Sequence, residues 1–347
     1  MAHKNIPIFI PHLGCPNQCV FCNQRSISGC QSFDESGVAR QIEASLSTLP
    51  MGSDAEIAFF GGSFTGIDRG QMVRLLELAQ RYVEQGLVQS IRLSTRPDYI
   101  NDEILSILSR YAVKTIELGL QSMDDEVLLA CRRGHTAEQA RDACRAIVKA
   151  GFSLVGQMMI GLPGATLDTE LQTAEAICSL DAVAARIYPT VVFYETPLCE
   201  MARKQDYIAL TVEEAVRRSA AVLRIFCAHD VPCIRIGLCA SESLTSEAAV
   251  FAGPNHPALG ELIWNEYYYG QLLSAVDAAG MRGQAIDLVL PQREVSKVIG
   301  QRRGNLIRLK RETGTCVYKT VGQEKQNGIR VVPYQRKKNI RGILPCI

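Results

Sequence analysis

"IPIFIPHLGCPNQCVFC", residues 6–22, runs from a short apolar segment straight into three cysteines. The apolar part, IPIFI (6–10), has the length and composition of a buried strand. Cys15, Cys19 and Cys22 follow it, with three residues between the first two and two between the last two. The same pattern recurs along the chain. EIAFF (56–60) is followed by GGSFTG (61–66), SIRLS (90–94) by TRPD (95–98), and TIELG (115–119) by LQS (120–122). SLVGQMMI (153–160) leads into GLPG (161–164), and ARIYP (185–189) is a sixth strand. Amphipathic stretches lie between. In 70–86, Met72, Leu75, Leu76 and Leu78 share one side, and 136–151 opens on a Thr136-x-x-Gln cap and stops at Gly151. Six βα units in a row predict an α/β protein with a parallel sheet, either open and doubly wound or curled as a barrel. Either way the loops at the carboxyl ends of the strands carry the chemistry, and every glycine-rich or polar cluster falls there. A helix-rich stretch at 199–228 and a further strand at CIRIG (233–237) follow.

The chain of 347 residues is 47% hydrophobic and 21% charged, enough for one large domain and a small one. It has no apolar run of membrane-spanning length, and its start lacks a signal-peptide pattern, so a cytoplasmic protein is expected. In a reducing compartment its thirteen cysteines argue against a disulfide framework. Cys131, Cys144, Cys178 and Cys227 fall in helical patterns and read as small buried hydrophobes. The net charge of +1 hides an asymmetry: residues 281–347 hold fifteen Lys and Arg against four Asp and Glu, a balance of +11. The remainder carries −10, which suggests an acidic body joined to a basic module that meets a polyanion. The glycines of DAAGMRGQ (277–284) mark the expected boundary.

Three thiols on one loop admit several chemistries. A zinc site takes four ligands, commonly from two Cys-x-x-Cys pairs; only one such pair is present, and Cys30 would have to be the fourth. A thioredoxin-like pair has no use for Cys15. A [4Fe–4S] cluster with one iron left open has a use for all three and for no more.

CPNQCVFC (15–22) resembles the Cys-x-x-x-Cys-x-aromatic-Cys signature of the radical S-adenosylmethionine (SAM) superfamily, and the resemblance continues motif by motif to about residue 260. It implies a partial (β/α)6 TIM-type barrel at 1–240, a helical extension at 241–280 closing the barrel, and a separate basic domain at 281–347. It also implies a [4Fe–4S] cluster on Cys15, Cys19 and Cys22, SAM on the open iron, a low-potential electron donor, and a 5′-deoxyadenosyl radical that takes hydrogen from the substrate. Gly61 and Gly62 stand where the family has a Gly-Gly-Glu-like loop for the methionyl amino group, with Ser63 in the third place. In enzymes of the coproporphyrinogen dehydrogenase type, residues matching Gln121 and Arg133 bind the ribose and the SAM carboxylate; otherwise Arg133 is part of a solvated helix end. Gln157 is a second ribose contact or a buried structural amide. Phe21 covers adenine or fills core. Ser94 and Arg96 face the same mouth, and His135 is a proton relay or a helix cap. His256, in GPNHPALGELI, closes the mouth or sits in a rigid surface turn.

FFGGSFTGI, STRPDYI, IELGLQSMDDEVL, RRGHT and RIYPTVVFYETPL together resemble the branch that contains the Elongator catalytic subunit, whose members modify the wobble uridine of tRNA. Those enzymes carry a C-terminal acetyltransferase domain. Residues 281–347 are too short for one, so acetyl-CoA binding is not carried over. Instead 285–320 reads strand, helix, glycine loop, helix, strand, and resembles a KH module. A KH loop is Gly-x-x-Gly and grips nucleotide backbone; here Gly300 and Gly304 enclose three residues, including Arg302 and Arg303. Lys310 and Arg311, with Lys337 and Lys338 behind them, extend the expected RNA-binding face, unless the domain only solubilises the chain or docks on its acidic body. The expectation is a radical SAM enzyme acting on RNA, with tRNA the leading substrate and no membrane association. The alternatives are the same chemistry on a small or porphyrin-like molecule, or a non-catalytic zinc and RNA-binding protein.

Overall fold

Seven parallel strands line up in the order in which the chain makes them: β1 (Lys4–Ile10), β2 (Ala55–Gly61), β3 (Ser90–Thr95), β4 (Val113–Gln121), β5 (Ser153–Ile160), β6 (Ala184–Pro189) and, past a two-residue β7 (Val192–Phe193), β8 (Cys233–Ile236). This comes from a computed structural model, which describes residues 4–10, 13–15, 19–23, 33–50, 53–238 and 249–335. A doubly wound sheet must reverse its strand order at a switch point. This one never reverses, so the barrel alternative holds, and the sheet is a curled half-barrel with β1 and β8 at its edges. Right-handed crossovers that all step the same way put the intervening helices on one face. These are α1 (Val38–Ser47), α2 (Arg69–Glu84), α3 (Asp102–Leu108), α4 (Asp125–Ala130), α5 (Ala137–Lys149), α6 (Leu167–Ser179), α7 (Pro197–Arg203) and α8 (Val212–Ala228).

Alternation along the strands divides core from interior. Ile57, Phe59, Ile91, Leu93, Ile116, Leu118, Leu154, Met158 and Ile187 are fully buried. They alternate with Glu56, Arg92, Ser94, Glu117, Gln157 and Arg186, which bond to one another across the other face. Local signals agree with the elements. Thr136 and Gln139 form the capping box that starts α5, and Asp68 caps α2, whose Met72, Leu75 and Leu76 are buried. Cys131 and Cys144 are fully buried, while Cys178 and Cys227 are only half-buried. Burial pushes the thiols of Cys131 and Cys144 up to about 12, outside the range of a thiolate ligand at neutral pH.

The chain divides into two compact units, Met1–Leu259 and Gly260–Ile347. The first also holds β9 (Val250–Ala252), antiparallel to β7; in the second, β10 (Ala285–Pro291) lies between β11 (Cys316–Gln323), parallel to it, and β12 (Arg330–Pro333), antiparallel to it. Helices α10 (Val295–Ile299) and α11 (Gly304–Thr313) connect β10 to β11, the succession expected from 285–320. The division falls some twenty residues before the expected boundary. The reason is α9 (Leu259–Ala278): its Tyr268, Tyr269, Leu272 and Val276 pack with Ile286, Leu288 and Leu290 in the core of the second unit. Charge changes near 281, but the apolar face that decides compactness begins earlier. Among the described residues no helix is long and apolar enough to cross a membrane.

Candidate active site

The cysteine loop and the glycine turn after β2 interlock at the carboxyl edge of the sheet. The amide of Gly62 donates to Ile10 O at 2.7 Å and that of Ser63 to Leu13 O at 3.1 Å. A Cβ on Gly62 would stand 2.1 Å from Leu13 O, so only glycine lets the two backbones meet. Gly61, at φ 105°, turns the chain into this contact. Ser63 is fully buried, and its hydroxyl lies 3.3 Å from Cys15 Sγ. Cys19 is buried, whereas Cys15 and Cys22 are half-buried, and Cys22 N closes a turn on Cys19 O at 3.1 Å. Phe21 packs beside Val20, Cys131, Leu162 and Leu198 in an apolar cluster on one side of the loop. Cys30 lies outside the described residues.

Two guanidinium groups face Cys19. Arg133 donates to its sulfur at 3.2 Å and Arg96 at 3.6 Å. Arg96 is gripped by Asp98 through two bonds of 2.9 Å and also reaches the carbonyl of Arg133. Burial disfavours its charge, but the Asp98 carboxylate and the sulfurs of Cys19 and Cys15 outweigh burial and raise its pKa. Arg133 is 4% exposed, which removes the solvated-helix-end alternative, and its second terminal nitrogen donates to Gly119 O. Its Nε is buried without a partner among the described residues. Gln121 Oε1 is likewise buried and unpartnered, and Gln121 holds a left-handed φ of 68° at a register shift between β4 and β5. A buried acceptor, a buried donor and a strained residue at one mouth are the features of a ligand site.

Ser94 and Gln157, both expected at this mouth, meet through a third residue. Each donates to Glu117 Oε2, at 3.4 and 2.9 Å. Glu117, completely buried, also receives Arg92 at 2.9 Å and Arg186 at 2.7 Å on its other oxygen. Sequence reasoning missed Glu117, because a parallel strand reads as a continuous apolar run; the signal was the single acid inside TIELG. His135 is 6% exposed; its Nδ1 sits 3.3 Å from Thr136 O and its Nε2 is buried without a partner. It is not the helix cap, which Thr136 supplies itself. Burial first, and the Arg133 charge second, lower its pKa to about 4, so it is neutral at physiological pH. Below the mouth, Glu170 accepts from Gly161 N at 2.7 Å and pairs with Arg218, which pins the loop after β5. His256 accepts from Ala258 N at 3.1 Å in an exposed turn.

Among the described residues no three His, Cys, Asp or Glu side chains stand close enough to share one metal ion. A four-iron cluster does not ask for that, since each thiolate binds a different iron. The three-thiol loop, the guanidinium groups on its buried sulfur and the unpartnered atoms of Gln121 and Arg133 fit a cluster with SAM beside it.

In the second unit Gly300 and Gly304 differ in conformation. Gly304 has an ordinary helical φ of −55°, and the left-handed positions are Gly300 (76°), Arg302 (50°) and Arg303 (63°). The turn therefore runs over Gly300-Gln301-Arg302-Arg303 and ends before Gly304, so the one-residue departure from a Gly-x-x-Gly loop stands. Arg302, Lys310 and Arg311 are exposed, whereas Arg303 is half-buried, with its Nε unpartnered among the described residues. Lys337 and Lys338 lie outside the described residues.

Comparison with known proteins gives the family. The Radical SAM superfamily model matches residues 9–177 and the Radical_SAM C-terminal domain model residues 183–269. The chain belongs to the radical SAM superfamily: it is an enzyme that uses a [4Fe–4S] cluster and SAM. It is 29% identical over 146 residues to the tRNA uridine(34) acetyltransferase of Methanocaldococcus infernus, covering 41% of this chain and 27% of that one. It is 28% identical over 152 residues to human Elongator complex protein 3, covering 42% and 28%. The chain thus matches little more than a quarter of the length of either relative. The solved structure of Methanocaldococcus infernus Elp3, with its N-terminus deleted, superposes with a TM-score of 0.59 at 18% identity, over 82% of this chain and 66% of that one. The chain is therefore similar to the Elongator branch of the superfamily.

Proposed function

We propose that this radical SAM enzyme modifies tRNA, the first unit generating the radical and the second holding the RNA. One observation carries the reading: a radical SAM core similar to a tRNA uridine(34) acetyltransferase precedes a strand–helix–helix–strand unit whose left-handed loop displays Arg302. Residues 281–347 carry a charge of +11, which suits a phosphate backbone. Cys15, Cys19 and Cys22 hold the cluster. Arg133 takes the SAM carboxylate with its free Nε, Gln121 and Gln157 take the ribose, and Ser63 orients Cys15. Gly61 and Gly62 bring the backbone up to the methionyl end, and Phe21 lies along the adenine. When bound, the cluster and SAM supply reductive cleavage of a sulfonium bond and a carbon radical. The chain's own residues position the sulfonium ligand, hold the Arg96 and Arg133 guanidinium groups against the buried sulfur and keep His135 neutral beside them. Acetyl transfer is no part of the proposal.

Total tRNA incubated with reduced enzyme and SAM, digested and compared by nucleoside mass, tests it. A new mass that needs the three cysteines is expected. No new mass, with 5′-deoxyadenosine still formed, would move the substrate to a small molecule.

A further inference from the structure

The two oxygens of Glu117 do different work. Oε1 takes the charged donors, Arg92 at 2.9 Å and Arg186 at 2.7 Å. Oε2 takes the neutral ones, Gln157 Nε2 at 2.9 Å and Ser94 Oγ at 3.4 Å. A carboxylate flanked by two guanidinium groups only accepts hydrogen bonds. It therefore dictates which way its neutral neighbours turn: Gln157 must direct its amide nitrogen inward, and Ser94 must spend its one proton inward. Ser94 is left with lone pairs for the mouth, and Gln157 with its carbonyl Oε1 and the second hydrogen of its amide nitrogen. Gln157 Oε1 has no hydrogen-bond partner among the described residues, and Gln121 Oε1, at the end of the same strand as Glu117, is buried with none.

We propose that Glu117 is a positioning residue that sets the hydrogen-bond polarity of the pocket, turning Ser94 and Gln157 into a proton-accepting wall that selects a ligand with two hydroxyl donors, the ribose diol of an adenosyl group. This rests on the SAM-site reading above and deepens it. Gln157 and Ser94 contact the ligand, whereas Glu117 acts only through them. The wall discriminates against a deoxyribose, because a missing hydroxyl leaves a desolvated acceptor without a donor.

The test uses anaerobically reconstituted full-length enzyme and equilibrium dialysis of S-adenosylhomocysteine against its 2′-deoxy and 3′-deoxy analogues. Wild type is expected to bind at least one deoxy analogue about tenfold more weakly. In Glu117→Gln, position 117 can donate as well as accept, so Gln157 is free to turn its nitrogen outward, and the penalty should fall to about threefold or less. An equal loss for all three ligands, or an unchanged penalty, overturns the proposal, since a purely structural role would weaken binding without altering the ratio. If Glu117→Gln fails to fold because Arg92 and Arg186 lose their partner, Gln157→Ala and Ser94→Ala leave those ion pairs intact. A reduced penalty in either supports the wall, and a full penalty in both overturns it. Wild type that binds S-adenosylhomocysteine with no deoxy penalty sinks this inference alone. Wild type without iron, or without affinity for S-adenosylhomocysteine, sinks the reading beneath it.

Discussion

Arg133→Lys separates the cluster from the ligand it serves. In the native chain one guanidinium fork does three things: Nη1 donates to Cys19 Sγ at 3.2 Å, Nη2 holds Gly119 O, and Nε stays buried with no partner among the described residues. A lysine keeps the charge, but its single ammonium cannot reach the sulfur, the carbonyl and a ligand carboxylate together. The bond removed is charge-assisted and shielded from water, Arg133 being 4% exposed, so its loss is worth about 1.5–3 kcal/mol. That corresponds to roughly 10- to 150-fold weaker SAM binding. The three thiols are untouched, so iron content should remain at the wild-type level. Equilibrium dialysis of SAM, iron analysis and 5′-deoxyadenosine formation at saturating SAM give the three readouts. Unchanged SAM affinity would refute the assignment of Arg133, and iron lost in proportion to affinity would mean that the residue only braces the cysteine loop.

Alanine at Cys15, Cys19 or Cys22 should each lower iron content and abolish 5′-deoxyadenosine formation, while Cys131→Ala, at a buried thiol, should retain both; iron analysis of the four variants checks this. His135 is held neutral, with a folded pKa of about 4 against an ordinary 6.5. Between those values the unfolded chain binds the extra proton, so this contribution is intact above about pH 6.5 and is lost as pH falls toward 4. His135→Asn should flatten that part of the melting-temperature profile of cluster-free protein between pH 7.5 and 5. Neutralising Arg302 and Arg303 to Gln should weaken tRNA binding and lower the slope of log K against log salt by about 1–2, measured by filter binding. Arg303→Gly relieves a left-handed backbone and should stabilise the second unit by about 1 kcal/mol in urea unfolding.

The strand positions were legible because six apolar runs were punctuated by glycine or polar clusters, and the observed strands extend those runs by no more than two residues at either end. Thr136 and Gly151 likewise declared the ends of a helix before any packing was known. The sense of winding was not legible. Nothing local separates a sheet that reverses from one that keeps curling, since that choice lies in crossovers between distant segments. The site was half legible. The cysteines, glycines, Gln121 and Arg133 come from loops and the last residues of strands, where residue type and spacing speak directly. Glu117 speaks only through partners 25 and 23 residues before it and 40 and 69 after it, a relation no short window of sequence contains. The backbone of the glycine loop in the second unit was not legible either: residue type gives no sign that Arg302 and Arg303 take the left-handed conformation beside Gly300.

The charged interior of the half-barrel ties these strands to the site. Glu56 on β2, Arg92 on β3, Glu117 on β4 and Arg186 on β6 alternate in sign across the inner face, and each acid meets an arginine. Such a set is a poor way to gain stability, because desolvating four charges offsets most of what their attraction returns, and well-packed apolar residues of similar volume would hold the strands as firmly. What apolar residues would not supply is a fixed direction for every proton facing the mouth. Arg92 and Arg186 commit Glu117 to accepting, Glu117 commits Ser94 and Gln157 to donating inward, and the Gln157 carbonyl and the Ser94 lone pairs are what remain as acceptors. The outward residues of the same strands, Ile91, Leu93, Ile116 and Leu118, are wholly apolar and buried against the helices. The pleat thus divides the labour residue by residue. Substitutions at the outward positions should alter folding, and those at the inward ones should alter which ligand binds.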